Sequence, residues 1–404
     1  MFVKCTKFYS MSTNSCNHGE DKLPKTVVFG GRVRDRNSSQ AMKRPMRADF
    51  LDCPEDTDKG CLNSVWWNRK IAEDVAQKLG IDFTMILAEV NQIFEAIGLP
   101  VREEKKEAAS KTPAVEQADE EEEEEAKGSI LLRLSPNECK WLVGKAIEYH
   151  KLDDKAKANM LKDKEKKKLV SDFLAVYEKS RSPEIAAFGR FLASKDLTAF
   201  KVDAAFSFSH AIGTSESNPE VEDFVAVDDI SDGSGAGHMN HDIVSASTMF
   251  FEGSGNVEVL LHNLKGDKVL TLQTIGRVLR AFAYTVPKGK QHSMLSKPLP
   301  DFVLFEVLDT EFTLADAFIA PVQPKVDLAV ESVQRFLLVR NRKHNAFDIK
   351  VHAEAMVSGV DHEAVNAPPL PEHCRIKDAV SLDQAIKKVL AHVDSAINKK
   401  EKSK

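Results

Sequence analysis

The chain has 404 residues, of which 42% are hydrophobic and 29% charged, with a formal net charge of −6. That length suffices to bury a full core and allows two or three domains, or one domain carrying insertions. No apolar run approaches the roughly 18 residues that cross a bilayer, so a membrane-spanning protein is excluded. Met1 to Cys16 mixes Lys4, Lys7 and Asn14 with apolar residues, unlike a secretory signal, and reads as the first strand of a cytoplasmic protein. The six cysteines (Cys5, Cys16, Cys53, Cys61, Cys139, Cys374) show no zinc spacing, which predicts free, mostly buried thiols in a reducing compartment.

Net charge conceals an uneven distribution. Asp119 to Glu125 is a run of seven acids, and without it the chain is close to neutral. Lys22 to Ala48 holds eight basic residues (Lys22, Lys25, Arg32, Arg34, Arg36, Lys43, Arg44, Arg47) against the single acid Asp35. A local basic patch of this type suits nucleic acid.

In chain order, Val3 to Tyr9 reads as a strand. A polar stretch from Ser10 to Lys25 leads to Val27-Val28-Phe29 and Gly30-Gly31, a region expected to be a long loop. From Leu62 to Leu99 apolar residues recur at helical spacing (Ile71, Val75, Leu79, Phe83, Ile86, Leu87, Val90, Phe94), which predicts two or more amphipathic helices. Arg102 to Gly128 is Lys/Glu/Ala-rich, with almost no apolar anchors, and is expected to be a solvated, mobile insertion. Helical patterning resumes over Ser135 to Lys179, with Ser135 and Glu138 spaced as a capping box.

Beyond Phe188 strands dominate. Val202 to Phe208 and Asp223 to Asp229 are expected to be the arms of a long hairpin around a polar tip at Thr214 to Pro219. Thr248 to Phe251, Val257 to His262 and Phe302 to Leu308 read as further strands; Lys268 to Thr285, Leu328 to Leu338 and Leu382 to Asn398 read as helices. Strands on both sides of a helical insert predict an α+β core interrupted in sequence.

The most informative segment is Ser38 to Arg47. A serine N-cap starts a helix on which Gln40, Lys43, Arg44 and Arg47 share one face at i, i+3, i+4 and i+7. Free N–H groups beside guanidinium forks suit a phosphate backbone. A charged face by itself indicates only solvation, and Pro45 should kink or shorten the helix and draw Arg47 off the face. A second basic element is the turn Val286-Pro287-Lys288-Gly289-Lys290-Gln291. A third is the lysine-dense stretch containing Lys155, Lys157, Lys162 and Lys164, where interleaved acids make a solvated helix the default.

Catalytic templates are missing: there is no G-x-S-x-G, Walker A or H-E-x-x-H segment. Gly233 to Gly237 reads as a hairpin root. His238 and His241 lack a third metal ligand nearby, and His210 reads as a packed or hydrogen-bonded core histidine. No catalytic residue, metal or cofactor is assigned.

Taken in order, these segments resemble the CasC-type backbone subunit of the type I-E CRISPR surveillance complex, Cascade. The matching stretches are Phe29-Gly30-Gly31, Ser38-Ser39-Gln40 with Lys43-Arg44, Gly189-Arg190, Val202 to Ala205 with His210-Ala211-Ile212, Phe224 to Asp229, Gly235 to His238, and Val286-Pro287 with Lys290-Gln291. The resemblance implies a modified ferredoxin-like (RRM-like) palm, an inserted helical fingers domain and a β-hairpin thumb. The palm would comprise residues 1–55 and 181–404, the fingers 56–180 with the insertion 102–128, and the thumb about 207–241. It also implies a non-catalytic protein that polymerises along CRISPR guide RNA, kinks it at intervals for pairing with target DNA, and assembles with further copies of itself and other Cascade subunits. By the same resemblance Lys25, Ser38, Gln40, Lys43, Arg44, Arg47, Lys288 and Lys290 contact the guide, Phe191 and Phe224 pack at kinked bases, and Lys155, Lys157, Lys162 and Lys164 meet target DNA. Two features depart from the family: Asn17-His18-Gly19-Glu20-Asp21 replaces an Asn-Arg-Asp-Asp type loop, leaving a guide-contacting arginine unmatched, and the acidic run is expected to point away from RNA. Related type III subunits cleave target RNA with a metal and a first-loop acid, a role for which Glu20, Asp21 and Asp35 are the candidates; a free-standing RNA-binding regulator is the third alternative.

Overall fold

A computed structural model describes residues 1–51, 61–102, 131–179, 182–190, 201–227, 236–323, 325 and 327–402. The chain forms two compact units: Met1–Asp49 with Ala205–His262 and Gly266–Lys404, and Phe50–Ala204 with Asn263–Lys265.

The elements begin with β1 (Phe2–Asn14), β2 (Thr26–Phe29), β3 (Arg32–Asn37) and α1 (Ser39–Ala48). The second unit then supplies β4 (Leu62–Ser64), α2 (Trp67–Leu79), α3 (Phe83–Ile97), β5 (Leu132–Leu134), α4 (Pro136–His150), α5 (Asp154–Met160), α6 (Asp163–Lys179) and α7 (Pro183–Phe188). The first unit resumes with β6 (Phe206–Phe208), β7 (Ala211–Gly213), β8 (Glu220–Val227), β9 (Ala236–Asn256), α8 (Val257–Asn263) and α9 (Lys268–Tyr284). It closes with β10 (Phe302–Leu308), α10 (Leu328–Ala346), β11 (Val351–Ser358), α11 (His362–Asn366) and α12 (Leu382–Lys402). The mixture of helices and antiparallel sheet is α+β, as the interrupted pattern implies. Among the described residues no helix is long and apolar enough to cross a membrane.

The first unit is built on one sheet ordered β11-β10-β1-β9-β7-β3-β2, with β6 and β8 also paired to β9. Its strand β1 lies between β10 and β9, so that Phe8 sits opposite Phe302 on one side and Phe250 on the other. Because side chains alternate across a strand, β1 buries both faces. Phe8 packs with Phe250, Phe318 and Phe336 on one face. On the other, Lys7 lies over the rings of Tyr9, Phe251 and Phe282.

Several expectations are corrected here. Val27 to Gly31 is not a long loop: β2 and β3 form a tight hairpin whose two connecting residues, Gly30 and Gly31, have φ of +61° and +75°. Two positive φ values in succession require glycine-like residues, and a Cβ on Gly30 would lie 1.8 Å from the Ile319 carbonyl oxygen. The expected hairpin arms do not pair with each other; β6 and β8 both pair with β9, and the hairpin is β8–β9. Val257 to His262 is a helix rather than a strand. Asn256 starts it by accepting the amides of Glu258 and Val259 at 3.0 and 3.2 Å.

In the second unit, Trp67, Ile71, Val75, Ile86, Val90, Phe94, Leu142, Tyr149 and Phe173 build the core. The Ser135–Glu138 capping box forms as the spacing predicts. Glu138 is fully buried and also pairs with Arg190 at 2.8 Å, so the Gly189-Arg190 signature is part of this unit's interior. Five described cysteines are free, four of them buried; Cys53 and residues 103–128 lie outside the described residues.

Candidate nucleic-acid interface

Ser38 begins α1 as expected: its backbone is extended and its hydroxyl accepts the Ala41 amide at 3.2 Å. Met42 and Met46 are fully buried on the inner side, and Tyr9 donates its hydroxyl to the Met42 sulfur at 3.7 Å. The outer side presents Gln40 and Arg44 exposed, with Lys43 and Arg47 half-buried. Pro45 sits inside the helix without ending it, for α1 continues to Ala48 and the Asp49 amide still donates to the Pro45 and Arg47 carbonyls. The expectation that Pro45 would shorten α1 is therefore corrected. Burial, and then the Arg47 charge, hold the Lys43 ammonium below the ordinary lysine range. Clustered like charges in a half-buried site favour a counter-anion.

Lys25 is brought beside the α1 N-terminus by Asn17. The Asn17 side-chain oxygen accepts the Ser38 amide at 2.8 Å, and its backbone carbonyl accepts the Lys25 amide at 2.9 Å. Lys25 in turn accepts the Arg36 amide at 2.8 Å. These residues border a small polar cleft whose lining includes Asn14, Cys16, Lys25, Asp35 and Arg36.

The turn carrying Lys288 and Lys290 reaches the same region. Gln291 donates its amide to the Cys16 sulfur at 3.1 Å and to the Pro287 and Ser296 carbonyls at 3.0 and 2.8 Å. Gly289 lies so close to Cys16 that a Cβ would come within 2.3 Å of its carbonyl oxygen. Lys288 is exposed, whereas Lys290 is committed to Asp242 of β9 at 2.6 Å.

Phe224 is 42% exposed on β8, beside the exposed Val221 and Val225. Phe191 lies outside the described residues. In the second unit, Lys155, Lys162 and Lys164 are exposed on α5, on α6 and in the turn between them, but Lys157 pairs with Glu89 at 2.7 Å. Arg34 does not belong to the surface patch: it is fully buried and donates to the carbonyls of Gly213, Thr214, Ser215, Phe318 and Ile319.

Sequence reasoning gave Asn17 and His210 no part in the site and named Arg36 only as one of the eight basic residues of the patch. His210 is exposed rather than packed in a core, and its Nδ1 lies 3.1 Å from an Arg36 guanidinium nitrogen. Of the acids, Asp35 is buried and accepts the hydroxyls of Ser217 and Ser247 at 2.6 and 2.7 Å, while Asp21 accepts the Leu23 amide at 3.1 Å. No group of three or more His, Cys, Asp or Glu among the described residues is placed to hold a metal.

The family model described as CT1975-like protein, Cas_CT1975, matches residues 8–387. The chain belongs to this family. The family resemblance drawn from Phe29 to Gln291 is thereby borne out. No curated protein matches the sequence. Among solved structures, a chain of a "CRISPR RNA-guided surveillance complex, pre-nicking" shares the fold with a TM-score of 0.76 at 24% identity, covering 97% of this chain and 99% of that one. A chain of a "CRISPR RNA-guided surveillance complex" aligns with a TM-score of 0.57 at 20% identity, covering 97% and 100% respectively.

Proposed function

We propose that this protein is the CRISPR RNA-binding backbone subunit of a type I-E Cascade complex in the cytoplasm. It polymerises along the guide and presents it in kinked segments for pairing with target DNA, beside further copies of itself and the other subunits. The observation that carries this reading is α1, where Gln40, Lys43, Arg44 and Arg47 share one outer side, Ser38 caps the N-terminus and Asn17 tethers Lys25 next to it. Such a site grips phosphates without reading bases, and in guide-directed systems base pairing supplies the sequence specificity.

In this reading the sheet unit is the RRM-like palm, the helical unit the fingers, and the β8–β9 hairpin the thumb, whose exposed Phe224 packs against a displaced base. Phe191 takes a similar role, and Lys155, Lys162 and Lys164 face the target strand. The subunit acts without catalysis. The engagement of Asp35 with two serine hydroxyls supports that assignment over a metal-dependent ribonuclease. Mass photometry of the purified protein on guide RNAs of increasing length tests the reading: particle mass rises in steps of one subunit as the RNA lengthens, and a single bound copy on every length would refute it.

A further inference from the structure

Arg36 and His210 occupy the border of the guide-binding cluster, and the resemblance gives neither a role, although His210 lies in one of its matching stretches. Arg36 is held in place from β2: its Nε donates to the Thr26 carbonyl at 3.2 Å, and its Nη1 lies 3.1 Å from His210 Nδ1. Because a guanidinium has donors only, Nδ1 must act as acceptor, which leaves the imidazole neutral with its proton on Nε2. The charges acting on His210 are Arg36 of β3 and Lys43 of α1, both positive. Glu252 of β9 touches the neighbouring Ser209 only through its backbone, since its carboxylate is bound to Lys4 and Thr313.

We infer that Arg36 and His210 form a phosphate-binding pair of the guide track, and that His210 takes up a proton when a phosphodiester docks there. The inference rests on the guide-binding reading and adds two residues and a proton to it. In the free protein, protonation would turn Nδ1 into a donor facing the Arg36 donor and would add a third cation to Arg36 and Lys43. A phosphate oxygen between the two side chains removes both objections: it accepts from Nη1 and from Nδ1–H, and its charge offsets the imidazolium. Burial, followed by Arg36 and Lys43, keeps the free imidazole below the ordinary histidine range. Binding therefore raises the pKa from that depressed value, so affinity grows as the pH falls through the window between the free and bound pKa values. Each unit of that rise adds up to about tenfold to the affinity on the acid side.

The test is calorimetric titration of the full-length protein with a guide-length single-stranded RNA, in buffers of different ionisation heat. Wild type takes up a fraction of a proton per site near about pH 6.5 and binds more tightly at about pH 6 than at about pH 8. His210→Gln lowers both the proton uptake and the pH slope, and Arg36→Gln weakens binding at both pH values. His210 is exposed, so the substitution leaves the core untouched. Equal proton uptake and equal pH slopes in wild type and His210→Gln, with RNA binding intact, would overturn this inference alone. Absence of RNA binding by wild type would overturn the guide-binding reading along with it.

Discussion

Ser38 offers a way to separate the stability of α1 from its grip on phosphate. Its hydroxyl accepts the Ala41 amide at 3.2 Å, and its own amide is held by Asn17. Ser38→Ala removes the cap, which costs about 1 kcal/mol of stability. Ser38→Asp keeps a capping oxygen in the same place and adds an anion favourable to the helix N-terminus by roughly 0.3–1 kcal/mol, so the folded protein is as stable as wild type or more so. A guide phosphate lying at this N-terminus would meet that carboxylate at about 4 Å, where repulsion ranges from about 1 kcal/mol in water to about 4 kcal/mol near a protein surface. The expected loss of RNA affinity is therefore between about fivefold and about 1,000-fold. Thermal melts and fluorescence anisotropy on a guide-length RNA measure the two effects independently. Wild-type affinity in a well-folded Ser38→Asp protein would refute placement of the guide at this helix end.

Three further outcomes follow from the same structure. Lys43→Gln should lower the slope of log K against log salt by about 0.7, the contribution of one phosphate contact on a single strand; a salt titration with an unchanged slope would remove Lys43 from the RNA contacts. Gly30→Ala should destabilise the protein by about 3 kcal/mol or more, through left-handed strain and collision with the Ile319 carbonyl, whereas Gly31→Ala, which meets open space, should cost only about 1–2 kcal/mol in denaturant melts. Burial lowers the Lys7 pKa to about 7, against about 10.4 in an unfolded chain, so the unfolded state binds more protons between those values. Lys7 thus makes stability rise with pH from about 7 towards about 10, with its burial penalty fully present below about 7. Urea midpoints at about pH 6.5 and about pH 9 should show this rise in wild type and a smaller one in Lys7→Met; equal rises would contradict it.

The long helices were legible because their apolar period is unambiguous over many residues: α2, α3, α9 and α12 lie where Ile71 to Leu79, Phe83 to Phe94, Lys268 to Thr285 and Leu382 to Asn398 place them. Ser38 and the Ser135–Glu138 box were legible as caps, since a cap depends only on neighbours in sequence. Strand partners were not. Phe206 to Phe208 and Glu220 to Val227 both have strand character, but period-two alternation does not name a partner, and both pair with β9. Val257 to His262 failed for a different reason: a short apolar run fits helix and strand equally, and the deciding signal was the polar cap Asn256 just before it.

Within the candidate site, α1 and its basic side could be read because they are local. The pairing of Arg36 with His210 could not, for it spans a long separation that only the sheet register closes, as β3 meets β7 at Arg36 and Ile212, and Asn17 acts through loop hydrogen bonds to Lys25 and Ser38 that leave no periodic signal. Arg34 shows the complementary error. Counting charges placed it in the surface patch, yet its guanidinium is buried against five carbonyl oxygens, while Arg36, two residues on and so on the same face of β3, remains only partly buried at the cluster.

The most direct measurement is mass photometry of wild type and Lys43→Glu on intact CRISPR guide RNA, with and without Mg²⁺. The account predicts discrete multimers of wild type whose mass grows with RNA length, uncleaved RNA in both conditions, and loss of the multimers in Lys43→Glu. Monomers on RNA of every length, or RNA cut when Mg²⁺ is added, would contradict it.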